Sequence, residues 1–232
     1  PPAPSLIAAA EVLRRASRAA EQTGRATPEA WAAVADALYL PIRGDDVVAA
    51  HDGFRVSEPK GATPSPLAGF FPYDYPATDR VRQATLDFYL ERWRDYVGAR
   101  MFPALYTSWA AMAGNRDLAL KLFEEGYAAY DHDRFHQCLE YRPDHPDSVT
   151  AAGPFFANLS GLLLGLLMGL TGVVIDEKEP ADWPRRPITL PAGWTAIEVE
   201  RLWIRGQPVR LRAEQGAARA VLSPVRPSSQ AD

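Results

Sequence analysis

The chain has 232 residues, 47% of them hydrophobic and 23% charged, a globular composition and a length suited to one large or two small domains. A formal net charge of −4 and a sequence pI near 5.6 leave no basic field, so nucleic acid is not an expected partner. The single cysteine, Cys138, excludes an internal disulfide framework. One cysteine with four histidines offers no zinc-ligand spacing, and neither a Gly-rich phosphate loop nor a G-x-S-x-G elbow is present. No cofactor and no metal are expected.

The sequence opens on Pro1 without a charged-then-apolar signal pattern. The start reads as a cut, and the expected compartment is the cytoplasm. Residues 5–22 read as a helix with Leu6, Ile7, Ala10 and Leu13 on one stripe and Gly24 as its stop. Thr27 is expected to cap a second helix, with Pro28 at its first position and Glu29 in its first turn. Residues 41–76 are dense in Gly, Pro and Asp, with short apolar groups at Val47, Val48, Phe54, Phe70 and Phe71. This reads as a long irregular connection, and connections of such length are usually functional or disordered. Its aromatic content argues against disorder.

Residues 78–93 read as a third helix, with Leu86, Tyr89 and Trp93 on one side. Residues 103–113 and 116–130 read as a helical hairpin turning at Gly114 and Asn115. The stretch 131–148 is polar and rich in His and Asp. After Pro180 the period changes: 196–204 and 209–212 alternate around a turn at Gly206, and 218–222 is a third candidate strand. The fold class is therefore mainly α with a small antiparallel β unit.

Residues 151–175 carry no charge, and Gly161, Gly165, Gly169 and Gly172 recur at spacings of four, four and three. On a helix these lie along one face, where another helix can approach closely. Leu162, Leu163, Leu166, Leu167 and Leu170 cover the other sides. A helix apolar all round is expected to be buried. The window is long enough for a bilayer, but the acidic flanks Asp144, Asp147, Asp176, Glu177 and Glu179 lack the basic anchor of a membrane span. Pro154 and Asn158 are expected to confine the helix to about 159–174.

Two chemical candidates precede that helix. His132 and His136 stand four apart and would share a face if helical, or serve as polar loop residues. Glu140 follows Phe135, Cys138 and Leu139 and precedes Tyr141, neighbours that would hold a carboxyl among apolar groups. Partial burial suits a carboxyl to general acid or base work, whereas a surface Glu at an element's end is the plainer reading.

The segment F-H-Q-C-L-E at 135–140, followed by F-F-A-N-L-S-G-L-L-L-G-L-L-M-G-L-T-G-V at 155–173, resembles the last characteristic blocks of glycoside hydrolase family 65. Ser160 and Leu164 replace a Gly and a Gln of the family's second block. Residues 190–206 (L-P-A-G-W-T-A-I-E-V-E-R-L-W-I-R-G) are similar to the family's L-P-x-x-W lead into a small β domain with an R-G turn. Upstream, 34–41 (V-A-D-A-L-Y-L-P) and 51–54 (H-D-G-F) resemble its helix end and the loop after it.

This resemblance implies that residues 1–180 are the C-terminal half of an (α/α)6 toroid, 181–226 a small β domain and 227–232 a loose tail. It implies an inverting enzyme acting on an α-glucoside, a disaccharide or glucosyl conjugate, with Glu140 as general base. Lys60, Phe70, Tyr73, Phe135 and Gln137 are the residues expected to meet the sugar. The family's acid, a Glu in an Asp-Glu pair ahead of the first helix here, has no counterpart in these residues, so the other half of the toroid is the expected partner. The family's K-Q-A-D segment falls on Lys60, Gly61, Ala62 and Thr63, with Gly and Thr in place of Gln and Asp. That departure keeps a second expectation open, a non-catalytic sugar-binding or assembly module on a degenerate barrel. A disaccharide phosphorylase is the third.

Overall fold

A computed structural model describes residues 2–60, 64–96, 104–132, 134, 136–148 and 153–225. Over the described residues the protein is mainly α with two small antiparallel sheets. It divides into two compact units, Pro1–Gly98 and Ala99–Asp232. The sheet beyond residue 180 thus belongs to the second unit, and the expected loose tail lies outside the described residues.

In the first unit, α1 (Ala3–Gln22) buries Leu6, Ile7 and Ala10 of the expected stripe together with Ala3, while Leu13 is only half-buried. α2 (Glu29–Ala37) packs on it, and Arg14 of α1 reaches the Ala35 carbonyl at 3.4 Å and Asp36 at 3.3 Å. The expected Thr27 cap is not formed. Pro28 occupies that position without a side-chain cap, and the Thr27 hydroxyl instead donates to the Ser17 carbonyl of α1 at 3.5 Å.

Among its described residues, the long connection contains a 3-10 turn, Ser65–Gly69, pressed against α1. A Cβ at Gly69 would lie 2.6 Å from Ile7 Cδ1, so any larger residue there would have to push the Ile7 side-chain tip aside. Leu67, Phe70 and Phe71 are buried around it. α3 (Asp79–Glu91) starts at Thr78, whose hydroxyl accepts from the Val81 amide at 3.3 Å. Its buried polar side chains serve the edge of Val48 that faces away from its antiparallel bridge to Ile42. The Val48 amide donates to Thr85 Oγ1 at 3.0 Å, and the Tyr89 hydroxyl donates to the Val48 carbonyl at 3.0 Å. Buried backbone groups need such partners, so an irregular segment at 47–49 is held inside without a sheet.

The second unit is organised on α4 (Leu105–Met112). Tyr106, Thr107, Ser108, Trp109, Ala110 and Ala111 are all buried, so this helix is enclosed on every side. It turns at Gly114 into α5 (Arg116–Gly126), whose first turn is capped by Asn115 accepting from the Leu118 amide at 3.0 Å. A 3-10 turn, Ala128–Tyr130, leads into a two-stranded hairpin of β1 (Asp131–His132) and β2 (Gln137–Cys138).

The apolar window differs from its expectation in three ways. The helix α6 begins at Phe156 and runs to Leu164, and a π turn, Gly165–Gly169, extends it, with the Leu170 amide donating to the Gly165 carbonyl at 2.9 Å. Asn158 lies inside α6 as its buried member and does not break it. Nor is α6 enclosed all round: Phe156 is 70% exposed and Leu163 57%. Its glycine face has α4 as a helical neighbour. A Cβ at Gly161 would lie 3.9 Å from Leu105, and one at Gly165 would lie 2.8 Å from Ser108 Oγ. Positions four apart on one helix thus meet positions three apart on α4, which is how ridges along helix surfaces mesh.

Gly172 ends the run at φ +73, a conformation that costs a side chain roughly 1–2 kcal/mol. Its carbonyl accepts from the amides of Arg185 at 3.1 Å and Arg186 at 3.0 Å, so the chain returns across it. Arg116 fixes the segment after this return, donating to the carbonyls of Leu190 at 2.8 Å, Pro191 at 3.2 Å and Trp194 at 3.3 Å. The L-P-x-x-W motif is therefore a clasp between α5 and the sheet. That sheet is β3 (Ala196–Ile204), β4 (Gln207–Glu214) and β5 (Val221–Pro224), in sequential antiparallel order with an irregularity between Val199 and Leu202. Val209, Leu211 and Ala213 of β4 face inward, while Glu198, Arg210, Arg212 and Glu214 form an exposed ion-pair row. No helix among the described residues is long and apolar enough to cross a membrane.

Gly172→Ala is expected to be the most damaging glycine substitution in the window. Its Cβ would stand 2.2 Å from the Arg186 carbonyl oxygen, a backbone atom that cannot rotate away, at a positive φ. The expected loss is about 2–4 kcal/mol in urea unfolding, from overpacking together with left-handed strain. Gly165→Ala should lose less, because Ser108 Oγ is a rotatable hydroxyl. Equal losses for the two variants would contradict this packing.

Candidate functional site

Glu140 stands on a bend directly after β2, half-buried. The two residues before it are fixed from several directions. The Leu139 amide donates to the Tyr130 carbonyl at 2.9 Å, and the Phe155 amide donates to the Cys138 carbonyl at 2.8 Å. Cys138 and Leu139 are themselves buried, 1% and 4% exposed. A Cβ at Gly153 would lie 2.7 Å from the Leu139 side chain, so the chain leading into α6 also closes tightly on this strand.

Asn158 is the hub behind Glu140. Its carbonyl oxygen accepts from the Ala104 amide at 2.8 Å, and its amide nitrogen donates to Cys138 Sγ at 3.2 Å. One side chain of α6 therefore satisfies an orphan donor at the start of α4 and fixes the strand that carries Glu140. Burial pushes the Cys138 thiol above its ordinary pKa, opposed by the Asn158 contact. The thiol is thus a poor nucleophile, since the thiolate is the reactive form. Burial also pushes the Tyr130 hydroxyl up to about 12, so it stays protonated beneath the strand.

Among the described residues, nothing pairs with the Glu140 carboxylate. The nearest cation in sequence is otherwise engaged. Arg142 grips Asp144 in a bidentate pair, Nε to Oδ1 at 2.9 Å and a terminal nitrogen to Oδ2 at 2.8 Å. The Arg142 hydrogen bond holds the Asp144 carboxyl below its usual range. Glu140 is thus a half-buried carboxylate on a braced backbone, available to accept a proton or to meet a polar ligand.

The other expected site residues divide between the units. Gln137 is in β2, paired with His132 across the hairpin, close in sequence to Glu140. Phe135 lies outside the described residues. In the first unit, Phe70 is 1% exposed and belongs to the core, with the Arg82 guanidinium 5.6 Å from its ring centre. Its ring is therefore not presented to solvent as a sugar platform. Tyr73 is exposed. The Lys60 ammonium donates to the carbonyls of Val56 at 2.6 Å, Glu58 at 2.8 Å and Arg55 at 3.4 Å, and lies 5.0 Å from the Phe54 ring centre. Lys60 closes its own loop. The neighbours Gly61, Ala62 and Thr63 lie outside the described residues.

The His132 and His136 pair does not share a helix face, because the hairpin places them in a strand and its turn. His136 instead bonds the Asp131 carboxylate at 2.7 Å. No group of three potential metal ligands occurs among the described residues. Asn158 is the position that sequence reasoning mistook for a break; a lone polar residue in an apolar helix was the available signal.

Replacing Asn158 with Ala should cost about 2–3 kcal/mol, because a buried amide and a buried strand lose their partner together. It should also raise the reaction rate of Cys138 with a thiol reagent under native conditions. Unchanged thiol reactivity at lowered stability would show that Asn158 does not brace this strand. No family model matches the chain, and no curated protein matches it either.

Proposed function

We propose that this chain is the C-terminal part of an inverting α-glucoside hydrolase of the family 65 type, built on half of an (α/α)6 toroid, with Glu140 as the general base. The observation that carries the proposal is the state of Glu140: half-buried, without a partner among the described residues, and on a bend that follows a strand braced by Tyr130, Phe155 and Asn158. A general base needs a firm backbone under it and a free lone pair; the braced residues just before Glu140 and its unpaired carboxylate support that reading. The family-like blocks at 135–140 and 155–173, on and after the braced strand, supply the chemical assignment.

In this reading Glu140 takes a proton from a water that attacks the anomeric carbon opposite the leaving oxygen. A carboxylic acid roughly 6.5–9.5 Å away protonates that oxygen, the separation that leaves room for water. The acid is to come from a segment outside these 232 residues. Exposed Phe156 and Leu163 on α6 support the toroid, since neighbouring helices of a closed ring would cover such a face. Of the expected sugar contacts in the first unit, Tyr73 is an exposed aromatic.

A second reading has its own support. Lys60 is consumed by backbone carbonyls and Phe70 by the core, which fits a degenerate, non-catalytic sugar-binding module. Glu140→Gln in the protein carrying its upstream segment separates the two. Hydrolysis of α-glucosides such as trehalose should fall by about 10²–10⁴-fold, the scale of a lost general base, with the unfolding midpoint unchanged. Proton NMR of the wild-type reaction should show β-glucose as the first product. Sugar binding without turnover in the wild type would favour the second reading. Activity that requires inorganic phosphate would make the enzyme a phosphorylase.

A further inference from the structure

The loop at 51–60 is closed almost entirely by its own polar groups. His51 Nδ1 lies 2.8 Å from the Asp52 carbonyl oxygen, and its Nε2 lies 2.8 Å from Glu58 Oε1. The other Glu58 oxygen accepts from the Arg55 amide at 3.3 Å. Lys60 ties down the carbonyls of residues 55, 56 and 58, and Phe54 lies edge-on between the His51 ring, at 5.9 Å, and the Lys60 ammonium, at 5.0 Å.

The two partners of the imidazole decide its protonation. A backbone carbonyl only accepts, and so does an ionised carboxylate. A neutral imidazole carries one N–H and can make one of these two bonds; the cation makes both. We propose that residues 51–60 form a proton-locked loop, closed while His51 carries both ring protons and loosened when it loses one. The surrounding charges agree. Beside His51 stand Asp52, whose carboxylate accepts from the Tyr39 hydroxyl at 2.9 Å, Glu58 and, on the loop itself, Arg55 and Lys60. Tyr89 of α3 and Tyr96 beyond it act on Glu58 as protonated hydroxyls, and the charge of the terminal amino group works to lower the His51 pKa, against its hydrogen-bond partners.

The titration runs in the same direction. The Asp52 carbonyl and then Glu58 hold the His51 pKa above its ordinary value. Burial works to raise that of Glu58, but its bonds to His51 and to the Arg55 amide outweigh this and leave it lowered. A histidine whose folded pKa is raised gives its full stabilisation below the ordinary value of 6.5, and that stabilisation is lost as pH rises through the raised value. The loop should therefore be tightest in mild acid and loosen toward alkaline pH, releasing Glu58 and the carbonyls that hold Lys60.

Nitrogen-15 NMR of the His51 ring in the whole protein, titrated from mild acid to mild alkali, tests this directly. Both ring nitrogens should show the imidazolium signature, with a midpoint above that of a free histidine. Hydrogen-exchange protection factors of amides in 51–60 should fall severalfold across the same midpoint, while those of α3 stay constant. Glu58→Gln should bring the midpoint back toward the ordinary value and flatten the pH dependence of loop protection. A neutral His51 tautomer in mild acid, or a raised midpoint with loop protection that does not follow it, would overturn the proposal.

Discussion

The second unit depends on how closely two helix backbones approach. Gly161 and Gly165 put no side chain between α6 and α4, so α4 lies against the glycine face with Leu105 and Ser108 in the gaps. That approach has two structural consequences. It covers one side of α4, which α5 covers from another, so that the short run of Tyr106 to Ala111 is buried throughout. It also brings Asn158 within hydrogen-bonding distance of the Ala104 amide, one turn before the glycines. A bulkier face would separate the helices and leave that amide orphaned in an apolar interior, where an unmade hydrogen bond is costly.

The bracing of Glu140 depends on the same contact. Asn158 uses one end of its side chain on α4 and the other on Cys138, so the strand is located relative to the helix pair. The hairpin β1–β2 is too short to hold its own position, since isolated two-stranded ribbons are marginal in water. Its place comes from the Tyr130 carbonyl below it, the Phe155 amide ahead of α6 and the Asn158 amide between. A polar network of this kind fixes one geometry only when every member is satisfied. Here the braced atoms are all backbone groups or the thiol, which leaves the Glu140 carboxylate outside the network.

Much of the architecture was legible from residue patterns. Helical periodicity located α1, α3, α4 and α5, alternation located β3 and β4, and glycine spacing identified the face along which α4 packs. Burial was harder to read. The window 151–175 is more apolar than α4, yet α6 is partly exposed and α4 is enclosed, because enclosure depends on how many neighbours surround a helix. Asn158 read as a helix breaker because its propensity favours turns; its tertiary partners outweigh that preference. The spacing of His132 and His136 pointed to a helix face, but a positive φ of 52 at His136 belongs to a tight hairpin turn instead. Thr27 had the right type for a cap and a nearer acceptor on α1.

The same distinction applies to the charged residues that sequence similarity brought forward. The resemblance brought forward Lys60 as a sugar contact and Glu140 as general base, but residue type does not reveal which polar groups the fold has already used. Lys60 has three carbonyls and an aromatic face within reach, and a cation so surrounded gains little from a neutral sugar hydroxyl that it does not already have. Glu140 has no such set among the described residues. An ionisable group becomes chemically useful when the backbone under it is fixed and its own lone pairs are unspent. By that criterion the functional interest of the second unit falls on the bend after β2, and the contacts between α4 and α6 are what make that bend a fixed point.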